Sequence, residues 1–262
     1  MALSQSLIVL RYQINGQGPA LFFLHGFLED AEIWDALIGP LSLNYTCIQI
    51  DLPGYGTNTD SLFPDQLAEI SHALEHLREK LSLNSFSIVG HSMGVYIGLA
   101  WLELAKIQPR AFVAINGSVY RDNPERLIER KRSISLIQRH KDAYVKMAIK
   151  GLFLQEQLTL YFDEIAQLTT RALKVPKLTL TQSIRAMSTR VDHRQTLKNF
   201  LGHKHLVAGD QDPLFPRALS QDMALNTGAK LHTYSGSHMG WLEAPELILT
   251  ILGSERIPSA SN

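Results

Sequence analysis

The 262-residue sequence predicts an α/β fold, a mostly parallel sheet with helices on both faces. Three observations lead there. Short apolar or alternating runs of strand type recur along the chain, separated by stretches with helical spacing. A sharp strand-to-helix junction is written into Gly90-His91-Ser92-Met93-Gly94. Between residues 119 and 200 the alternation stops and only helical patterns remain, as expected of an inserted helical cap over one end of the sheet. The expected organisation is therefore a core of residues 1–118 and 201–262 and a cap of residues 119–200.

The elements follow in order. Leu7-Ile8-Val9-Leu10-Arg11-Tyr12 and Pro19-Ala20-Leu21-Phe22-Phe23-Leu24 read as strands around the turn Asn15-Gly16-Gln17-Gly18. Residues 31–37 have helical spacing, with Asp30 as N-cap. Residues 45–50 form the next strand. Residues 65–81 form an amphipathic helix with Leu67, Ile70, Leu74, Leu77 and Leu81 on one face. Ser85-Phe86-Ser87-Ile88-Val89 leads as a strand into the glycine-flanked serine, and Val95, Leu99, Leu102 and Lys106 continue as a helix. Residues 111–115 and 205–208 are apolar runs of the buried-strand type. In the long interruption, Leu127, Ile128, Lys131 and Ile134, then Ala143, Met147 and Lys150, keep helical spacing. Residues 230–234 alternate weakly, Pro245 starts a last helix ending near Gly253, and residues 257–262 are expected to fray.

Composition narrows the function. Lys plus Arg and Asp plus Glu both number 25, so the chain as a whole has no electrostatic pull towards nucleic acid or acidic membranes. The single Cys47 rules out an internal disulfide and, lying in an apolar run, reads as a buried thiol. No stretch reaches transmembrane length, and the first residues lack the pattern of a signal peptide, so a cytoplasmic location is expected. No clustered His, Cys or carboxylate spacing points to a metal, and the chemistry read below needs no cofactor.

That chemistry starts at Ser92. A turn this tight forces an uncommon backbone conformation on its central residue, and glycine on either side relieves the crowding. The hydroxyl then projects beside a helix N-terminus, a place suited to a nucleophile. Serine is a weak nucleophile and needs a base, which in turn needs an orienting acid. Of ten histidines, His72, His76 and His140 sit in helical patterns, His203 and His205 flank a strand, and His91 adjoins the serine itself. His238, in the loop Ser235-Gly236-Ser237-His238-Met239-Gly240, lies after the last strand at the sheet end where ligands gather. Gly209-Asp210-Gln211-Asp212-Pro213 supplies two candidate acids, in the chain order Ser, Asp, His.

These residues resemble the α/β-hydrolase superfamily, in particular its capped serine carboxylesterases, along nearly the whole chain outside the cap. The resemblance implies an eight-stranded sheet and a Ser-Asp-His triad. It selects Asp212, three residues after Gly209, to act with Ser92 and His238. It makes His25-Gly26 the pair before an oxyanion-hole donor, so the N–H groups of Phe27 and Met93 are the expected donors. Asp51-Leu52-Pro53-Gly54-Tyr55-Gly56 is similar to the family's structural turn after the following strand. Gly236-Ser237-His238 with Glu243-Ala244-Pro245-Glu246 resembles its histidine loop and last helix start. His25 itself reads as a structural histidine beneath the oxyanion loop.

The resemblance implies a hydrolase acting through an acyl-enzyme on a small or medium ester-like substrate, whether carboxylic ester, thioester or lactone. Phe27, Leu28, Met93 and Trp241 are expected around an apolar pocket, enclosed enough to favour short acyl groups. Trp241 and Met239 read first as packing for the histidine loop, with direct substrate contact the lesser alternative. Residues 121–150 carry nine Lys or Arg against four Asp or Glu, a run read as a solvated helix face with slightly better use of anionic esters as a corollary. Relatives with an aspartate nucleophile are excluded by Ser92. Hydrolysis of C–C bonds in ring-fission diketones, a related lyase reaction, and a non-catalytic receptor on the same scaffold stay open, as does the oligomeric state.

Overall fold

The computed structural model describes residues 8–254. Seven strands form one sheet in the order β1-β3-β2-β4-β5-β6-β7, with β1 (Arg11–Asn15), β2 (Ala20–Leu24), β3 (Thr46–Asp51), β4 (Phe86–His91), β5 (Ala111–Ile115), β6 (His203–Gly209) and β7 (Lys230–Tyr234). All neighbours are parallel except β1 and β3. Among the described residues the sheet thus has seven strands where eight were expected. β2 and β5 are buried along their whole length, which is why they read as unbroken apolar runs, whereas β4 is equally buried although the alternation of Ser85-Phe86-Ser87-Ile88-Val89 reads as a half-buried strand.

The first strand differs from its expectation. It starts at Arg11, and Leu7 lies outside the described residues. It pairs not with β2 across a hairpin but with β3, Arg11 facing Asp51 and Asn15 facing Cys47. The glycines between β1 and β2 serve another need. A Cβ on Gly16 would lie 2.3 Å from the carbonyl oxygens of Ser42 and Tyr45, and one on Gly18 2.4 Å from that of Asn44. Both have positive φ, and both let this loop press against the chain entering β3.

The helices are α1 (Asp35–Leu41), α2 (Leu67–Lys80), α3 (Met93–Leu104), α4 (Pro124–Lys150), α5 (Gln157–Leu160), α6 (Phe162–Lys174), α7 (Lys177–Ser188), α8 (Arg194–Asn199), α9 (Arg217–Thr227), α10 (Gly240–Glu243) and α11 (Pro245–Ser254). A 3₁₀ turn over Ala31–Trp34 precedes α1, and the Asp30 side chain caps it by accepting from Glu32 N–H. The chain steps from β2 outward to β3, then reverses to β4 and onward to β7. Because parallel crossovers are right-handed, that reversal sends helices to opposite faces. α1 meets α11 on one face, while α2 lies against α3 and α8 against α9 on the other. The core under α3 includes Trp101 stacked on Phe86 and edge-on to Phe22.

Between β5 and β6 every regular element is a helix. α4 opens with Pro124 and is capped by Asn123, whose side chain accepts from Arg126 N–H. It breaks at His140, where φ is −142° and ψ is 54°, so its two halves match the two separate helical patterns in the sequence. Lys141 Nζ reaches the carbonyls of Leu173 (2.6 Å) and Val175 (2.9 Å), tying α4 to the end of α6. Among the described residues no helix is long and apolar enough to cross a membrane.

Asp51 closes the turn after β3. Its buried carboxylate accepts from Ala31 N–H (2.9 Å), Thr57 N–H (2.8 Å) and the Thr57 hydroxyl (2.7 Å). A Cβ on Gly56 would stand 2.0 Å from the same carboxylate. Asp51→Ala strands these donors, and we expect it to lower unfolding stability by about 3 kcal/mol. Equilibrium urea unfolding measures this, and a midpoint within error of the parent would refute it.

Candidate active site

The strand order reverses between β2 and β4, and the crevice beyond the ends of those strands is where α/β proteins bind ligands. Ser92 stands at that point as N-cap of α3, with φ at +50° and ψ at −110°. A non-glycine residue held there is strained. The flanking glycines are required by contact. A Cβ on Gly90 would lie 2.7 Å from Gly94 backbone, and one on Gly94 2.1 Å from the Leu24 carbonyl oxygen. Ser92 N–H donates to the Ile115 carbonyl (3.0 Å), which ties the turn to β5. Met93 is the first residue of α3, so its N–H has no intrahelical acceptor. Phe27 N–H makes no backbone hydrogen bond among the described residues.

Ser92 Oγ is 2.9 Å from His238 Nε2, and His238 Nδ1 is 2.9 Å from Asp212 Oδ2. The three expected residues meet. Asp212 accepts four hydrogen bonds, the others coming from Asn116 Nδ2 (2.9 Å), Leu214 N–H (2.8 Å) and Phe215 N–H (3.1 Å). Burial pushes its carboxyl pKa up, but His238 and these donors outweigh burial and hold it below the ordinary carboxylate range. An ionised Asp212 fixes the tautomer of the imidazole. Nδ1–H donates to it, leaving Nε2 as the acceptor for the serine hydroxyl. Asp210 points elsewhere and accepts from Gly236 N–H (3.1 Å).

Two residues that the sequence reading missed hold this arrangement together. Asn116, with φ at +46° just after β5, donates to Asp212 and to the Ser237 carbonyl. Its oxygen accepts from the Tyr234 hydroxyl (3.0 Å) and Gly240 N–H (3.1 Å), so one amide joins the acid loop to the histidine loop. Glu29 is the second. Its buried carboxylate accepts from Gly26 N–H (2.6 Å) and Trp241 Nε1 (3.2 Å) and meets His91 Nδ1 at 2.8 Å. His91 Nε2 is 2.8 Å from the His238 carbonyl.

Both His91 partners are acceptors when Glu29 is ionised, so the imidazole that satisfies them is protonated. Burial opposes charge on each, raising the Glu29 pKa and lowering that of His91. Their mutual attraction and hydrogen bond win, leaving Glu29 below and His91 above its ordinary value. His25 is structural, as expected: its Nδ1 is 2.8 Å from the Gly26 carbonyl and its Nε2 accepts from Leu52 N–H (3.1 Å).

A cavity of about 360 Å³ opens above Ser92 and His238. Phe27 and Leu28 line it, but Met93 and Trp241 do not. This corrects the expectation for both. Met93 is fully buried beneath the turn, and the Trp241 indole is drawn to Glu29 behind the histidine loop. The other wall comes from α4, the following Gly151 and Leu152, and α7. Leu152 also touches His238 directly, since its carbonyl accepts from His238 N–H (3.1 Å). Of the nine basic residues in 121–150, only Arg126 and Arg130 line the cavity.

The buried pair has a pH signature. The proton on His91 stabilises the fold fully below its ordinary value of 6.5, and that contribution is lost as pH rises through the raised folded value. Glu29 contributes above 4.5 and loses its effect as pH falls through the depressed folded value. Glu29→Gln removes the charge that retains the His91 proton. In thermal melts from pH 6 to 9 the parent Tm is expected to fall on the alkaline side, and the variant curve to start lower and run flatter. Parallel curves would refute the assignment.

The esterase of Thermogutta terrifontis in its malate-bound structure superposes with a TM-score of 0.87 at 20% identity, covering 97% of this chain and 94% of that one. In sequence, the acetyltransferase component of the acetoin cleaving system of Cupriavidus necator is 33% identical over 88 residues, 33% of this chain and 24% of that protein. The pimeloyl-[acyl-carrier protein] methyl ester esterase of Nitrosomonas europaea is 30% identical over 109 residues, 40% of each protein. These curated relatives are thus matched over less than half their length. Residues 21–250 match the Alpha/beta hydrolase family, spanning the sheet from β2 to α11, and the chain belongs to that family.

Proposed function

We propose that this protein is a serine hydrolase that cleaves an ester-like bond of a small organic substrate in the cytoplasm. The observation that carries the reading is the unbroken hydrogen-bonded line from Ser92 through His238 to Asp212 at the floor of a cavity. As Ser92 Oγ attacks the acyl carbonyl, His238 Nε2 takes its proton. Asp212 steadies the imidazolium through Nδ1–H. The N–H groups of Phe27 and Met93 receive the oxyanion, each of the kind whose loss costs about 3 kcal/mol in a transition state. His238 then protonates the leaving alcohol, and water repeats the cycle on the acyl-enzyme. The esterases among its structural and sequence neighbours support ester over C–C cleavage.

Residues 119–200 serve in this reading as a cap. Their helices supply one wall of the cavity while β2, β4, β6 and β7 lead into the other. Closing the site from above excludes water and strengthens every electrostatic contact below.

A fluorophosphonate probe is expected to label Ser92 and to leave folded Ser92→Ala unlabelled, with ester turnover lost in the same variant. Absence of labelling in the folded parent would defeat the reading. The two aspartates give a sharper comparison. Asp212→Asn should lower kcat/KM by roughly 10⁴-fold because the imidazole loses its working tautomer, whereas Asp210→Asn should change it little. Steady-state kinetics on one activated ester ranks them, and the reverse ranking would overturn the assignment of the acid.

A further inference from the structure

One face of α4 turns four polar residues into the cavity: Arg126, Glu129, Arg130 and Ser133, at positions i, i+3, i+4 and i+7. On a helix lying over an apolar pocket, this stripe is where apolar side chains are expected. Tyr144, from the second half of α4, joins them in the lining and interacts with Ser133.

Arg130 is the telling residue. Its side chain is only 9% exposed, yet its guanidinium is poorly satisfied. Nε donates to Asp122 (2.5 Å), and Nη1 faces the Met187 thioether at 3.4 Å, a weak acceptor. Among the described residues Nη2 has no partner. Nor is its charge fully matched, because the Asp122 carboxylate also holds Arg190 at 2.7 Å. Arg126 is paired with Glu129 at 2.8 Å. Three guanidinium groups therefore stand against two carboxylates. The Glu29–His91 pair, which also lines the cavity, adds no net charge. The α4 wall opposite Ser92 thus carries one net positive charge, facing the single negative charge of Asp212 behind His238, and open N–H donors.

We propose that Arg126, Arg130, Ser133 and Tyr144 form a carboxylate-binding subsite, so that the substrate is an ester that also bears one free carboxylate. This rests on the hydrolase reading of Ser92. A planar guanidinium offers paired donors that match a carboxylate, and the neutral hydroxyls of Ser133 and Tyr144 complete the contact.

The test separates binding from turnover. Full-length Ser92→Ala is titrated by calorimetry with monomethyl glutarate, singly anionic at pH 7, and with neutral dimethyl glutarate. The half ester is expected to bind about ten-fold more tightly, the effect of one charge-assisted contact. Arg130→Met in the same background should bring the two Kd values together. Arg126→Met should narrow the gap, and it carries the test if Arg130→Met does not fold. No measurable binding of the half ester, equal Kd values, or an unchanged ratio in the arginine variants would overturn the subsite. Offering p-nitrophenyl hemiglutarate and its methyl ester to the Ser92 protein tests the underlying reading. Selective binding without turnover or probe labelling would keep the subsite and remove the hydrolase assignment.

Discussion

Gly94 brings the first turn of α3 so close to the end of β2 that a Cβ there would stand 2.1 Å from the Leu24 carbonyl oxygen. That approach sets the Ser92 turn beside the loop carrying Phe27, and it forces Ser92 to φ +50°. Backbone strain in the molecule collects around it. Of the four non-glycine residues with positive φ among those described, Leu28, Ser92 and Asn116 each follow the end of β2, β4 or β5. Each such conformation costs on the order of 1–3 kcal/mol. The sheet below, with β2, β4 and β5 buried throughout, holds them in place.

Around this turn the polar groups form two hubs of different character. Asn116 is neutral and meets its partners on both sides of the amide, joining β5 to two loops that are far away in sequence. Glu29 and His91 are charged and buried, joining the Gly26–Phe27 loop to the His238 carbonyl. A buried pair of this kind adds little net stability over an apolar substitute, but breaking it leaves a charge without a partner. Its effect here is positional: it fixes where two loops stand relative to each other.

The features that sequence made legible are those that repeat or that carry a motif. Strand and helix spacing located the elements of the core, and the glycine-flanked Ser92 with the spacing of Asp212 and His238 located the residues that meet. Asn116 and Glu29 escaped because each is a single polar residue in a short loop, and only the folded chain brings their partners within reach. The pairing of β1 with β3 is hidden from a local pattern for a related reason. Asn15-Gly16-Gln17-Gly18 has the composition of a hairpin, but its glycines answer a contact with residues 42–45 that no local pattern reveals. Trp241 follows the histidine loop in sequence, yet it is buried and donates its indole N–H to Glu29 without lining the cavity itself. Composition of residues 121–150 gave their excess of positive charge but not its direction, which depends on the α4 face that looks inward.

The hydrogen bond from His238 N–H to the Leu152 carbonyl links two events that are usually considered apart. Leu152 follows α4, so any excursion of this segment away from the sheet breaks a bond on the imidazole-bearing residue itself. A bond worth about 1 kcal/mol weights the two arrangements by roughly five-fold. Were that segment to move for a ligand, its admission and the alignment of His238 with Ser92 would be reciprocal. On the proposed reading, a molecule that filled the cavity and held Leu152 down would also hold His238 in place. On that reading, readiness for proton transfer would depend on what occupies the cavity.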